Sequence, residues 1–307
     1  MQRRKIGSLE VSVVGIGCNN FGWRIDAAGT AAVVDAALAA GINFFDTADV
    51  YGSGQSEEYL GRALKVTGRR SQAVIASKFG MKMGEGLQGA RPEYVKQALD
   101  ASLKRLGVDM IDLYQIHRPD PATPIADTLG ALDEAVRAGK VREIGCSNFS
   151  AAQLREAEAA AAGKARFVSV QNEYSLFQRE PEKEVLAECA RLRLAFLPFF
   201  PLFNGLLTGK YGTDLTFPEG SRAKDGFGPK VFTEANLAKA QALAEFAVAN
   251  GHTLLELAFS WLLMRPEIAS VIAGAKTPEQ VKANSGAAGW KLDGTALAAV
   301  DRILGAA

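Results

Sequence analysis

The chain has 307 residues, 48% of them hydrophobic, enough to fill one large core and ordinary for a single α/β barrel running over 1–307. Lys and Arg total 35 against 34 Asp and Glu, a net charge of +1 with the signs interspersed, so the excess charge of a nucleic-acid or membrane-surface binder is absent. Cys18, Cys146 and Cys189 form no CxxC pair and only His117 and His252 are present, which supports neither a zinc centre nor a disulfide framework.

From the N-terminus, MQRRKIGSLEVSVVGIG carries charge and then alternates, without the continuous apolar stretch of a signal peptide. No apolar run approaches the roughly 18 residues needed to cross a bilayer. Reduced thiols and a cytoplasmic location are the expectation. Arg3 to Leu9 predicts a small hairpin with the residues that follow, placed as a plug for a barrel floor.

Eight apolar runs then read as buried parallel strands: Val13–Gly17, Asn43–Thr47, Ala73–Lys78, Met110–His117, Val141–Asn148, Phe167–Glu173, Ala195–Phe200 and Ser270–Ala275. Their continuous Val/Ile/Phe character suits strands covered on both faces. Amphipathic stretches separate them. Thr30–Ala40 stops at Gly41, a C-cap. Ser56–Leu64 opens on a serine read as the N-cap, followed by two glutamates. Pro92 sits early in Arg91–Leu106. Ile125–Ala138 closes at Gly139, and Ser150 with Gln153 frames the start of Leu154–Ala162. Glu182–Leu192, Glu234–Ala249, Leu254–Met264, a helix opened by Pro278 and a terminal Ala296–Leu304 complete the series. Tyr211–Phe232 has charge, Gly and Pro but no period; a loop of that length in a compact domain is often functional.

Eight strands with intervening helices predict a closed (β/α)₈ barrel. The competing open doubly wound sheet usually carries GxGxxG after its first strand. Here Gly15-Ile16-Gly17-Cys18-Asn19-Asn20 lacks the third glycine.

In a barrel enzyme the working groups sit at the C-terminal ends of the strands. That rule selects Asp46 in NFFDTADVYG, Tyr51 just beyond it, Lys78 in VIASKFG and His117 in LYQIHRPD. Taken singly, Asp46 could cap a helix, Tyr51 pack on a turn, Lys78 reach solvent and His117 satisfy a strand end. Together they converge on one mouth. An ammonium beside a phenol favours the phenolate and lowers its pKa, so Lys78 is expected to acidify Tyr51. Asp46 would orient Lys78, and His117 would polarise a carbonyl oxygen. Such a set delivers a proton but no hydride, so a reduction requires a nicotinamide or flavin.

GINFFDTADVYGSGQSEEYLGRAL, VREIGCSNFS, VQNEYSLFQRE, FPLFNGLLTGKY and AGAKTPEQVKAN, in this order, resemble the aldo-keto reductase superfamily from about Arg4 to about Asn284. The resemblance implies an Asp46, Tyr51, Lys78, His117 tetrad and NADPH bound in extended form. By motif, Ser147, Asn148 and Gln171 would hold the nicotinamide carboxamide, with Gly17, Cys18 and Asn19 on its near side. Phe199 would stack under the ring. The family usually shows Tyr-Ser-Pro-Leu where this chain has Phe199, Phe200, Pro201 and Leu202. Leu202, Asn204, Gly205 and Lys210 would cover the pyrophosphate, with Arg222 reaching over it.

Gly274 and Lys276 lead into the helix at Pro278, where Lys276 would meet the 2′-phosphate and Gln280 and Asn284 the adenosine. Ala283 stands where the family often has an acid. The cationic pair Arg222 and Lys276 implies NADPH over NADH. Phe21 and Trp23 resemble walls of the substrate pocket, alongside Tyr51 and His117. The implied partner is a small aldehyde or ketone, with no nucleic acid and no membrane; no patch specifies an oligomer. A cofactor-sensing channel subunit or a structural protein with a degraded site are rival readings, and the intact tetrad favours the enzyme.

Overall fold

A computed structural model describes residues 1–211 and 228–305. A hairpin of β1 (Arg3–Ile6) and β2 (Leu9–Ser12) comes first. The barrel strands follow: β3 (Val14–Gly17), β4 (Phe44–Asp46), β5 (Val74–Phe79), β6 (Ile111–Ile116), β7 (Val141–Ser147), β8 (Phe167–Glu173), β9 (Ala195–Phe199) and β10 (Val271–Gly274). They form one parallel sheet in the order β10-β3-β4-β5-β6-β7-β8-β9. The Phe196 N–H donates to Glu267 O at 2.7 Å and the Ala269 N–H to Phe196 O at 3.1 Å. These bonds join β9 to the chain entering β10 and close the barrel.

The helices of the outer ring are α1 (Ala27–Ala39), α2 (Gln55–Val66), α3 (Pro92–Leu106), α4 (Ile125–Arg137), α5 (Ala151–Ala161), α6 (Val185–Leu192), α7 (Gly228–Val231), α8 (Glu234–Ala249), α9 (Leu254–Leu263), α10 (Pro278–Gly286) and α11 (Gly294–Leu304). Local chemistry explains their ends. Ser150 and Gln153 form the expected capping box of α5, and Thr253 with Glu256 forms another on α9. Pro92 is the first residue of α3, and Gly107, at φ 63°, ends it.

Three local readings change. Asp26, whose carboxylate accepts from Gly29 N, caps α1, which starts at Ala27, three residues before Thr30. Ser56 is no N-cap: Gly54 takes that place at φ 97°, and the Ser56 hydroxyl turns inward to Cys18 O and Thr47 Oγ1. The stretch from Glu182 splits into a short 3₁₀ turn at Glu180–Glu182 and α6.

The hairpin plugs the floor as expected. Ile6, Leu9 and Val11 pack against the inward residues Phe44, Ala76, Leu113, Leu197 and Ile272. Each such aliphatic side chain contributes about 1.5–3 kcal/mol by leaving water. Arg4 bolts the hairpin in place: its guanidinium donates to Leu263 O at 2.7 Å and to Arg265 O at 3.0 Å, at the carbonyl-rich end of α9.

Candidate active site

The opposite end of the barrel is polar because each strand changes character over two residues. Asp46 follows Phe44 on the inward face of β4, Lys78 follows Ala76 on β5, and Gln115 follows Leu113 on β6. Lys78 has no accessible surface, and its Nζ donates to Asp46 Oδ2 at 2.6 Å and to Thr47 O at 3.1 Å. The other carboxylate oxygen, Oδ1, accepts from Gln171 Nε2 at 2.9 Å and Gln115 Nε2 at 3.3 Å. Beyond Asp46 the chain still runs beside β5, with Thr47 N bonded to Ala76 O and Asp49 N to Lys78 O. It then turns through Tyr51–Gly54, where Gly52, Ser53 and Gly54 all have positive φ. The turn packs against the loop after β3 so closely that a Cβ on Gly52 would meet Gly22 O at 3.0 Å, and one on Gly22 would meet Gln55 Cβ at 2.4 Å. Both glycines are therefore needed to hold Tyr51 at the mouth.

Lys78 Nζ lies 5.2 Å from the Tyr51 ring centroid, and the Tyr51 and His117 rings meet edge to face at 5.8 Å. The four expected side chains thus share one site. Its electrostatics depart from expectation in one respect. Burial pushes the Tyr51 phenol up, and this outweighs the pull of Lys78, so the net shift is upward. Burial pulls Lys78 down, but Asp46 and then Tyr51 more than offset it and hold the ammonium above its ordinary value. His117 is lowered to about 3 by burial, helped by Lys78 and Arg118, and is neutral at ordinary pH. Its Nδ1 is buried and meets no hydrogen-bond partner among the described residues.

The residues expected around a carboxamide are linked. Ser147 Oγ donates to Gln171 O at 2.7 Å, and Asn148 Nδ2 donates to Ser147 Oγ and His117 O, each at 3.0 Å. Gln171 turns its amide nitrogen to Asp46, which leaves its carbonyl as the acceptor for an incoming amide N–H. That donor and acceptor set fits a carboxamide. Phe199 and Phe200 lie edge to face at 5.3 Å, both partly exposed. Pro201 is buried and Leu202 packs on the core. From Phe200 to Gly205 the backbone is unusual: Phe200, Phe203 and Asn204 all adopt positive φ, and Gly205 sits at φ 97°. Such a cluster of left-handed residues favours a curved array of backbone N–H groups, suited to a phosphate. Lys210 is exposed beyond it, its Nζ over the Tyr211 ring at 4.9 Å. Arg222 lies outside the described residues.

Gly17 and Gly274 pair in register at the mouth. Lys276, Gln280 and Asn284 follow at intervals of four, on one side of α10 and the turn before it. Gln280 is partly used in capping: its Oε1 accepts the Lys276 N–H at 2.8 Å. Asn284 is almost wholly buried. Asn19 is partly exposed, but Cys18 and Phe21 have no accessible surface. Both side chains pack inward, and the Cys18 thiol turns to Ile16 O. Trp23 is 63% exposed with the Arg24 guanidinium 4.3 Å above it, so it alone of that aromatic pair faces outward.

Three residues escaped the sequence reading. Gln115 and Asn20 are buried polar side chains, and Asn20 O accepts the N–H groups of Trp23, Arg24 and Ile25, shaping the front loop. Asp120 ties the loop after β5 to the loop after β6 through Ala90 N at 2.8 Å and Thr123 Oγ1 at 2.8 Å. The strand-end rule could have found Gln115, two residues before His117. Among the described residues no group of three metal-ligating side chains forms, and no helix is long and apolar enough to cross a membrane.

The family model described as the aldo/keto reductase family matches residues 13–304. The chain is 38% identical to aldo-keto reductase yakc [NADP(+)] of Schizosaccharomyces pombe, over 94% of this chain and 87% of that protein. It is 36% identical to aldo-keto reductase YhdN of Bacillus subtilis, over 93% of this chain and 87% of that one. Among solved structures, the glycerol dehydrogenase AKR11B4 from Gluconobacter oxydans superposes with a TM-score of 0.85 at 32% identity, covering 98% of this chain and 94% of its own.

Proposed function

The chain belongs to the aldo/keto reductase family of oxidoreductases, and on that premise we propose that it reduces an aldehyde or ketone to the alcohol with NADPH, with Tyr51 as proton donor. The observation that carries this reading is the buried Lys78–Asp46 pair directly beside Tyr51 and His117 at the barrel mouth. When bound, NADPH supplies the hydride. Ser147, Asn148 and Gln171 would hold its carboxamide, Phe199 would pack on it, and the turn at Asn204 and Gly205 with Lys276 would hold its phosphates.

The protein's own groups divide the remaining work. His117, neutral because charging it is so costly here, offers an N–H to the carbonyl oxygen without competing as an acid. Tyr51 remains a phenol at ordinary pH and gives its proton to that oxygen as negative charge develops. Lys78 stabilises the phenolate left behind, and Asp46, saturated by Lys78 and two glutamine amides, keeps the ammonium charged and fixed. Trp23 walls the substrate entrance.

NADPH consumption across a panel of aldehydes and ketones tests the reading, with NADH in parallel. Turnover with NADPH that disappears in Tyr51→Phe supports it. Full turnover in that variant would overturn it. Because a relative in fold is named a glycerol dehydrogenase, polyols with NADP⁺ belong in the same panel.

A further inference from the structure

Behind the tetrad, on the outer wall of the barrel, lies a second buried group of ionisable residues. Glu57 on α2 has no accessible surface; its Oε1 accepts from Ser77 Oγ and its Oε2 from Arg105 Nε at 2.7 Å. Asp49 is 1% exposed, and among the described residues neither of its carboxyl oxygens meets a hydrogen-bond partner of ordinary geometry. The groups that face it are Glu57 from α2, Arg105 and Tyr94 from α3, Lys78 from β5 and Tyr114 from β6, with the Val50 amide on its own turn. The charges do not balance. Asp46, Asp49 and Glu57 are three buried carboxyls, while Lys78 is committed to Asp46 and Arg105 to Glu57. Among the described residues one carboxyl is left without a paired cation, and it is Asp49. A buried charge in that position is neutralised by a proton.

We propose that Asp49 is a positioning residue for the reaction, acting through Lys78: its protonation state sets the charge behind the ammonium and so the acidity of Tyr51. Burial first, then the neighbouring Glu57, pushes the Asp49 carboxyl up to about 7, with Val50, Arg105 and Lys78 opposing. As pH rises through neutrality, Asp49 releases its proton to solvent and becomes a carboxylate. The added negative charge holds the proton more tightly on Tyr51 and makes it a weaker acid. Carbonyl reduction slows as that charge appears. The Asp49 N–H bond to Lys78 O, at 3.0 Å, ties the backbones that carry the two groups.

This inference rests on the proposed reductase reading for its kinetic consequence but not for its titration. Infrared spectroscopy of the cofactor-free protein is expected to show a protonated carboxyl band that vanishes near pH 7 and is missing from D49N. Ultraviolet titration of Tyr51, assigned by Y51F, is expected to give an ionisation constant about tenfold larger in D49N than in the wild type at pH above 7. In turnover, D49N holds its low-pH rate through the range where the wild type falls. E57Q moves the inflection to lower pH and guards against a folding defect in D49N. A carboxyl band that survives in D49N overturns the proposal, and so does an unchanged Tyr51 titration. Absence of turnover on every carbonyl would instead strike the reductase reading and leave the two spectroscopic results to decide this one.

Discussion

The floor and the mouth of this barrel are built on the same strands, two residues apart. At the floor, Phe44, Ala76, Leu113 and Leu197 meet the hairpin side chains Ile6, Leu9 and Val11, and every contact there gains by excluding water. One inward position higher, Asp46, Lys78, Gln115 and Phe199 replace them. The upper layer is just as dry around Lys78 and Asp46, so it must be satisfied from within: one carboxylate takes an ammonium and two amides. The floor tolerates loss in proportion to volume. The mouth tolerates almost none, because removing one partner strands another.

The most severe way to break this contrast is Lys78→Met. It leaves Asp46 buried without its cation, with an expected loss of about 3–5 kcal/mol in stability and of turnover by roughly 10²-fold or more. Denaturant unfolding and steady-state rates measure both, and a fully stable variant would contradict the account of the mouth. Tyr51→Phe separates chemistry from stability: turnover is expected to fall by roughly 10²–10⁴-fold with the midpoint of unfolding nearly unchanged. Leu9→Ala should do the reverse, costing about 2–5 kcal/mol while KM for NADPH stays put; a changed KM would mean that floor and mouth communicate. Lys276→Ala is the milder test, weakening NADPH by about 1.5–3 kcal/mol, the worth of a hydrogen bond to a charged group, and NADH hardly at all, in a binding titration.

The same contrast extends to pH and stability. Two groups have opposite signs. His117 is lowered to about 3, so the unfolded chain takes up a proton first and stability is lost as pH falls from about 6.5. Asp49 is raised to about 7, so the folded chain keeps a proton that the unfolded chain gives up, and stability is lost as pH rises from about 4 to about 7. Thermal unfolding of Asp49→Asn should therefore gain on the wild type as pH is raised across that range. A constant difference at every pH would assign the effect to packing.

Much of this molecule was legible along the chain. Continuous apolar runs marked all eight barrel strands within a residue or two at each end, and Pro92, Gly41, Gly139, Ser150 and Gln153 marked helix ends. These signals are local: a cap or a buried strand needs only its own neighbours. Ser56 misled for the same reason. A serine before two glutamates is a good cap by local rules, but here it is drawn to Cys18 O and Thr47 Oγ1 across the loop.

The sequence by itself determined the alternation of strand and helix, the plug at the floor, and the strand ends and following loops that carry Asp46, Tyr51, Lys78 and His117. Only the tertiary structure decided how those groups behave. Gln115 and Gln171 stand 69 and 125 residues from Asp46, yet both bond the same oxygen. Tyr51 ends above its ordinary pKa rather than below it because desolvation outweighs one nearby ammonium. Asp49 becomes the unpaired carboxyl because α2 and α3 bring Glu57 and Arg105 against it and leave, among the described residues, no second cation. Charge and desolvation act through space on whatever is adjacent once water is gone, and that adjacency exists only in the closed barrel.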